Sequence, residues 1–361
     1  MPVSGAFGMG EYARSLAIAQ AVAARWPSAS IRFILSRAAP YAANTPYPAT
    51  LLASSPTFHS AAVIEVIQTW RPDVVIFDNA GRTAQLRAAH RSGARVVYIS
   101  ARPRQRRKAF RLRWMRLIDE HWIAYPEFIA GALRGSERLK LRLMRRPAVR
   151  YLDVILARDG PASEAHRDAL MARLGRVAGS YVLMVPGGGT GHPGAPLGMQ
   201  AFLDAARAIA GAGVDTVLVG RAPRPLAAEP TTDGVPGAGP RGGPRLLVLD
   251  SLPQAELAQL MRGARLIVAN GGSTLLQALA CAKACVAVPI AGDQGERIRR
   301  CSNAGVAVAA PLDAAVIAKT VTGLLQDAAA LEALAGRAIA LGLADGIEVA
   351  LRAMTTLIEP K

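Results

Sequence analysis

A chain of 361 residues, half of them hydrophobic, is long enough for two domains that each bury a core. No apolar run approaches the roughly 18 residues of a spanning helix, and the start, Met1-Pro2-Val3-Ser4-Gly5, lacks the pattern of a signal peptide. The formal charge is +17; the three cysteines leave an odd count for disulfides and, like the five scattered histidines, have no metal-ligand spacing, so neither a disulfide scaffold nor a metal cage is expected, and a reduced, cytoplasmic protein is.

Gly8-Met9-Gly10 leads into a helical pattern from Glu11 to about Arg25, with only Met1-Pro2-Val3 ahead of it where a full strand belongs. A short first strand, or a true start upstream of Met1, is expected. Ile31 to Leu35 reads as a strand and Phe58 to Trp70 as a helix. Asp73 to Asp78 follows as a buried strand, Thr83 to Arg91 as a helix stopped by Gly93, and Arg95 to Ser100 as another strand. Short apolar strands alternating with helix-length segments predict βαβ units and a parallel sheet.

Between Ala101 and Arg150 stand 15 Lys or Arg against four acids, while the other 311 residues carry only +6. From Arg102 to Asp119, Phe110, Trp114, Leu117 and Ile118 fall on one helical face, and Arg104, Arg107, Arg111 and Arg113 crowd the rest. This pattern suits a helix lying on an anionic bilayer, which would make the protein peripheral on the inner face of the membrane. An ordinary helix packing its apolar face on its own domain is the competing expectation. No RNA-binding signature accompanies the charge, and nucleic acid is not expected as a partner.

After Arg150 a helix is expected from Ala162 to Leu174. A second alternating series follows, with strands at Tyr181 to Val185, Thr216 to Val219, Leu246 to Leu249, Leu266 to Ala269 and Cys285 to Pro289. Helices are expected at Leu197 to Ala212, Gln254 to Arg262, Thr274 to Ala282, Ala314 to Leu325, Ala328 to Leu341 and Ile347 to Leu357, and Arg221 to Arg245 reads as a Pro/Gly-rich insert. The expected organisation is an N-terminal domain over 1–150, a linker region over 151–178, a second domain over 179–345, and a last helix in 346–361 that packs back on the first domain.

Three polar loops sit at strand ends of the second domain: Gly187-Gly188-Gly189-Thr190, Asn270-Gly271-Gly272-Ser273-Thr274 and Asp293-Gln294. Ligands of open α/β sheets bind at that edge. Glycines let a backbone approach a diphosphate, and Ser273 and Thr274 open a helix whose N–H groups and dipole attract anions, with Gln277 one turn further on. Each loop taken alone also reads as a plain turn or helix cap. No Gly-Lys-Ser or Gly-Lys-Thr follows the triple glycine, which argues against a P-loop ATPase.

The order of these loops, with Asp250-Ser251-Leu252-Pro253 between them, resembles the nucleotide-sugar-binding half of GT-B glycosyltransferases. It is most similar to the branch of the peptidoglycan lipid-linked N-acetylglucosaminyltransferase and the UDP-sugar hydrolase of pseudaminic acid synthesis. The N-terminal loop Gly8-Met9-Gly10-Glu11-Tyr12-Ala13-Arg14 resembles that hydrolase's Gly-x-Gly-His-x-x-Arg loop, with Glu11 where the relatives carry the His proposed as base. The resemblance implies an α/β fold of two Rossmann-like domains facing across a cleft. It also implies an inverting, metal-independent glycosyltransferase that uses a nucleoside-diphosphate sugar as co-substrate and needs no cofactor. Absence of an Asp-x-Asp cluster agrees with that expectation.

The implied donor contacts are Gly188, Gly189, Thr190, Asn270, Gly271, Gly272, Ser273, Thr274, Gln277, Asp293 and Gln294, with Gly10 and Arg14 touching diphosphate or acceptor. Glu11 or Asp78 would take the proton of an acceptor hydroxyl, on an acceptor that is lipid-linked or near the membrane. Two places depart from the branch: Gln277 stands at its ribose-binding carboxylate, and Arg297-Ile298 at its Asn-Ala. A nucleotide-sugar hydrolase or epimerase, and a non-catalytic binder of anionic membranes with a degenerate GT-B fold, are the alternatives.

Overall fold

The computed structural model describes residues 1–3, 9–156, 163–187, 195–220 and 245–358. The chain divides into two compact units, Met1–Ile155 with Ala344–Lys361, and Leu156–Leu343.

Unit 1 runs α1 (Met9–Arg25), β1 (Phe33–Ser36), β2 (Ala49–Leu52), α2 (Ser60–Trp70), β3 (Val74–Asp78), α3 (Thr83–Arg91), β4 (Arg95–Ser100), α4 (Pro103–Ala109), α5 (Leu112–Met115), β5 (Glu120–Ile123), α6 (Glu127–Ala130), α7 (Gly135–Met144) and β6 (Ala148–Tyr151). Every ladder is parallel. Residues 1–3 act as the missing first strand: Pro2 bridges Ile34 of β1 and Val3 bridges Asp78 of β3, both in parallel. The resulting order, β2-β1-(1–3)-β3-β4-β5-β6, is a doubly wound sheet whose direction of winding reverses between residues 1–3 and β3.

Local chemistry sets these boundaries. Gln85 accepts the Arg82 N–H at 2.9 Å to start α3, and Gly93, at φ +86°, follows its end. β5 was hidden from periodicity because Glu120 and His121 stand in a strand buried along its whole length. Glu120 is satisfied inside, since Arg150 donates to its carboxylate at 2.9 and 3.0 Å and Trp122 Nε1 donates to it at 3.1 Å. His121 is half satisfied: its Nε2 lies 2.8 Å from Ser100 Oγ, while its Nδ1 meets no partner among the described residues. Short β2 and helix α7 likewise escaped the sequence pattern.

The expected amphipathic helix over 102–119 is two short helices with a break at Phe110 and Arg111, and its apolar face is not offered to a membrane. Trp114 is 3 % exposed, stacks edge-on against Tyr98 at 5.2 Å and donates its indole N–H to Thr83 Oγ1 at 3.0 Å. Phe110 and Ile118 are buried with it. Trp114 is therefore a core residue of unit 1, because the apolar stripe that would suit a bilayer suits a sheet equally well. Arg104, Arg107, Arg111 and Arg113 remain exposed.

Unit 2 contains α8 (Ser163–Arg173), β7 (Val182–Val185), α9 (Ala195–Gly211), β8 (Thr216–Val219), β9 (Leu246–Leu249), α10 (Gln254–Gly263), β10 (Leu266–Asn270), α11 (Ser273–Ala280), β11 (Ala284–Val288), α12 (Gly295–Asn303), β12 (Val308–Ala309), α13 (Ala314–Gln326) and α14 (Ala328–Ala340). Its parallel strands lie in the order β12-β11-β10-β7-β8-β9, so the reversal falls between β7 and β10. Asp313 and Asp327 cap α13 and α14, each accepting a backbone N–H at 2.9 Å. Most of the Pro/Gly-rich insert, 221–244, lies outside the described residues.

The chain then returns to unit 1. Ala344 N–H donates to Asp153 at 2.9 Å, Gly346 N–H donates to Val154 O at 2.8 Å, and α15 (Gly346–Ile358) packs Ala350, Ala353 and Met354 with Ile18, Val22, Trp122 and Leu152. Burying side chains of this size contributes about 1.5–3 kcal/mol for each large one. Among the described residues no single helix is long and apolar enough to cross a membrane.

Candidate functional site

In a doubly wound sheet the loops diverge at the reversal point and leave a crevice at the strands' carboxyl ends. Each unit carries a polar constellation there.

In unit 2, Asn270 closes β10 and ties the two diverging loops together. Its Nδ2 donates to Pro186 O beyond β7 at 2.7 Å, and its Oδ1 accepts the Gly272 N–H at 2.8 Å. The glycines around it are demanded by packing: a Cβ at Gly187, already at φ +108°, would overlap Asn270 Nδ2, and one at Gly271 would come within 2.8 Å of Gln294 Cβ and of Ile298. Gly272 is the N-cap of α11 and leaves its first turn without a side-chain cap. Ser273 is exposed there, and Thr274 and Gln277 are half-buried on the turns behind it. A helix start left open in this way presents the backbone N–H groups and dipole end to which anions are drawn.

Arg297 of α12 stands behind this turn. It is 8 % exposed, its Nη1 donates to Gly271 O, and its Nη2 lies 3.9 Å from the exposed Asp293 carboxylate. The departure noted in the sequence thus places a buried cation under the glycine turn. Gln294 spends its carbonyl on the Ile290 N–H at 2.9 Å, and Asn270 has both ends of its amide engaged, so these two expected ligand contacts hold the loops in shape. Gly188, Gly189 and Thr190 lie outside the described residues.

In unit 1 the reversal point lies between residues 1–3 and β3, and α1 supplies its side chains. Asp78 has no exposed surface. Arg14 grips it with Nε to Oδ2 at 3.0 Å and Nη2 to Oδ1 at 2.5 Å, and Ser15 Oγ donates to Oδ2 at 2.9 Å. Burial opposes the Arg14 charge, but the Asp78 carboxylate, the hydrogen bonds to it and the nearby Glu11 hold the guanidinium above its ordinary range. With both oxygens engaged, this geometry does not suit Asp78 to take a proton from a ligand. It anchors Arg14, which is itself nearly buried and correspondingly removed from the diphosphate contact expected of it. Gly10 is exposed on the first turn of α1, with open space where a Cβ would stand.

Glu11 is placed differently. Its side chain is 17 % exposed, Asn79 Nδ2 donates to its Oε1 at 3.1 Å, and the Arg102 guanidinium lies 3.8 Å from the same oxygen. Among the described residues no donor meets Oε2. Asn79, at φ +50°, is itself fixed by the Ala101 N–H, which donates to its Oδ1 at 2.9 Å. Of the two carboxylates picked from the sequence, only Glu11 keeps an oxygen that no described residue engages. Asn79 and Arg102 were not singled out for this role; the one legible signal was an Asn directly after Asp at a strand end.

No family model matches the chain, and no curated protein matches it. Solved structures do. The spinosyn forosaminyltransferase SpnP superposes with a TM-score of 0.64 at 13 % identity over 99 % of this chain and 98 % of its own. LpCGTa, solved in complex with UDP, gives 0.60 at 15 % identity over 98 % and 97 %. A putative UDP-N-acetylglucosamine 2-epimerase from Listeria monocytogenes gives 0.58 at 16 % over 98 % and 96 %. At such identities the likeness is one of fold: the chain has the α/β GT-B fold, as its paired parallel sheets and the resemblance in its loops had indicated.

Proposed function

We propose that the protein is a nucleotide-sugar-dependent glycosyltransferase, with the donor on unit 2 and the acceptor on unit 1. The observation that carries this reading is the Asn270-locked glycine turn that opens an uncapped helix at the reversal point of unit 2. The donor's diphosphate would lie on the N–H groups of Ser273 and Thr274, with Arg297 supplying charge beneath and Gln277 hydrogen-bonding the ribose. The neighbour solved with UDP supports a uridine donor. Glu11 Oε2 would take the proton of an acceptor hydroxyl as its oxygen attacks the anomeric carbon. The bond from that carbon to the diphosphate oxygen breaks, its electron pair leaves with the diphosphate, and the configuration inverts.

A panel of UDP, TDP and GDP in thermal unfolding tests the donor site: stabilisation by one of them is expected, and no rise in Tm with any at about millimolar concentration removes the reading. The epimerase among the structural neighbours favours one rival, a nucleotide-sugar hydrolase or epimerase. Incubation with the donor alone separates them, since rapid release of free sugar or of its epimer without acceptor belongs to the rival.

A further inference from the structure

The basic stretch of unit 1 keeps much of its charge uncompensated. Some of it is paired: Arg102 lies near Glu11, Arg146 meets Asp119, Arg150 meets Glu120, and the buried Arg106 donates to Glu137 at 2.7 Å and to the carbonyls of Ala130, Gly131 and Ala132. Arg82, Arg104, Lys108 and Arg111 meet no acid within ion-pair distance among the described residues. Shared neighbours gather these four. The Trp114 indole donates to Thr83, next to Arg82, and the Lys108 ammonium stands 5.8 Å from the Trp114 ring centroid. Arg104 precedes Lys108 by one helical turn, and the Arg111 N–H donates to Lys108 O at 3.1 Å. Arg82 is braced by Thr57 O at 3.2 Å and by the Phe58 ring at 5.7 Å. Partial burial, and then the charges of Arg82, Arg104 and Arg111, lower the Lys108 ammonium below its ordinary range.

Cations held together without an anion repel one another, and a multiply charged anion relieves that repulsion while meeting the planar donors of Arg. The position is also telling. Arg82 follows β3 three residues after Asn79, and Arg102, beside Glu11, leads from β4 into the helix that carries Arg104 and Lys108.

We propose that Arg82, Arg104, Lys108 and Arg111 form a phosphate-binding site, and that the acceptor carries a phosphate ester that docks there. The acceptor half rests on the transfer function proposed above; the anion site rests on unit 1 alone.

Only five lysines occur in the chain, Lys108, Lys140, Lys283, Lys319 and Lys361. Isotope-labelled dimethylation, which keeps their charge, gives an NMR signal for Lys108 that Lys108→Arg identifies. Titration with inorganic phosphate at constant ionic strength is expected to move that signal saturably by about 10 mM, while Lys140 and Lys319 stay still. Arg82→Gln and Arg104→Gln are each expected to weaken the binding about ten-fold. A linear drift shared by all lysines overturns the site, as does unchanged affinity in both variants. So does a Lys108 response to phosphatidylglycerol vesicles with none to soluble phosphate, which would make the surface a membrane dock. UDP stabilisation of the same sample reads unit 2 separately. A silent Lys108 in a protein that binds UDP removes this inference and leaves the transferase, whereas a saturable response without nucleotide binding keeps the anion site and removes the acceptor.

Discussion

Asn79 donates to Glu11 Oε1 at 3.1 Å while its own oxygen accepts the Ala101 N–H at 2.9 Å. A backbone N–H can only donate, so the Asn79 oxygen must face Ala101 and its amide nitrogen must face Glu11. The carboxylate is thereby oriented with one oxygen occupied and, among the described residues, no donor on the other.

Replacing Asn79 by Gly keeps the left-handed backbone, φ +50°, and removes only the amide. We expect kcat to fall about 10- to 100-fold with little change in KM, because orientation of the base is lost and not donor binding. Glu11→Gln should lose more, roughly 100-fold or beyond, and still bind nucleotide. Steady-state kinetics with the donor found by thermal unfolding decide both. Normal kcat in Glu11→Gln would remove Glu11 as base.

Asn270 makes a prediction about the other unit. Asn270→Ala leaves the Pro186 carbonyl and the Gly272 N–H without their partner, at a cost of about 1–3 kcal/mol for each buried group. Urea unfolding should record that loss, and nucleotide affinity should drop with it because the glycine turn is no longer held. Full affinity in a protein destabilised to this degree would detach the turn from the donor site.

Gly271→Ala acts on the same turn by crowding. Its Cβ would meet Gln294 Cβ and Ile298 at 2.8 Å, which either strains the core by about 1–3 kcal/mol or moves α12 away. A lower Tm together with weakened UDP binding is expected, and an unchanged Tm would contradict the close packing of Gly271 on α12.

Regular elements were legible where one pattern had one structural outcome. Helix Thr83–Arg91 and strands Arg95–Ser100 and Thr216–Val219 could be read whole, since periodicity, a stop signal at Gly93 and β-branched runs all agreed. Reading failed where a pattern had two outcomes. Trp114 and Phe110 make the same stripe whether they face lipid or a sheet, and only tertiary contact chooses between them. Strand β5 failed for the opposite reason, its Glu120 being paired by Arg150 and one nitrogen of its His121 by Ser100, both from distant sequence. At the candidate site, residue type picked out both Glu11 and Asp78. Their difference lies in Arg14 and Ser15, which neutralise and cover Asp78 and which no spacing rule assigns to it.

His121 supplies a prediction about pH. It has no exposed surface, and burial, with the Arg106 charge adding to it, pushes its imidazole down to about 3. The unfolded chain takes up that proton near pH 6.5, so between about 6.5 and 3 the unfolded state binds one more proton than the native state. Stability from this residue is therefore fully present above about pH 6.5 and is lost as pH falls, at about 1.4 kcal/mol per pH unit, until the native imidazole itself charges near 3. Acidification from pH 7 to 4.5 should cost roughly 2–3 kcal/mol through His121 alone. In His121→Phe, urea unfolding at the two pH values should lack that share of the slope, even where the substitution shifts both midpoints. A slope equal to the native protein's would mean that His121 is charged, or reached by solvent, within the fold.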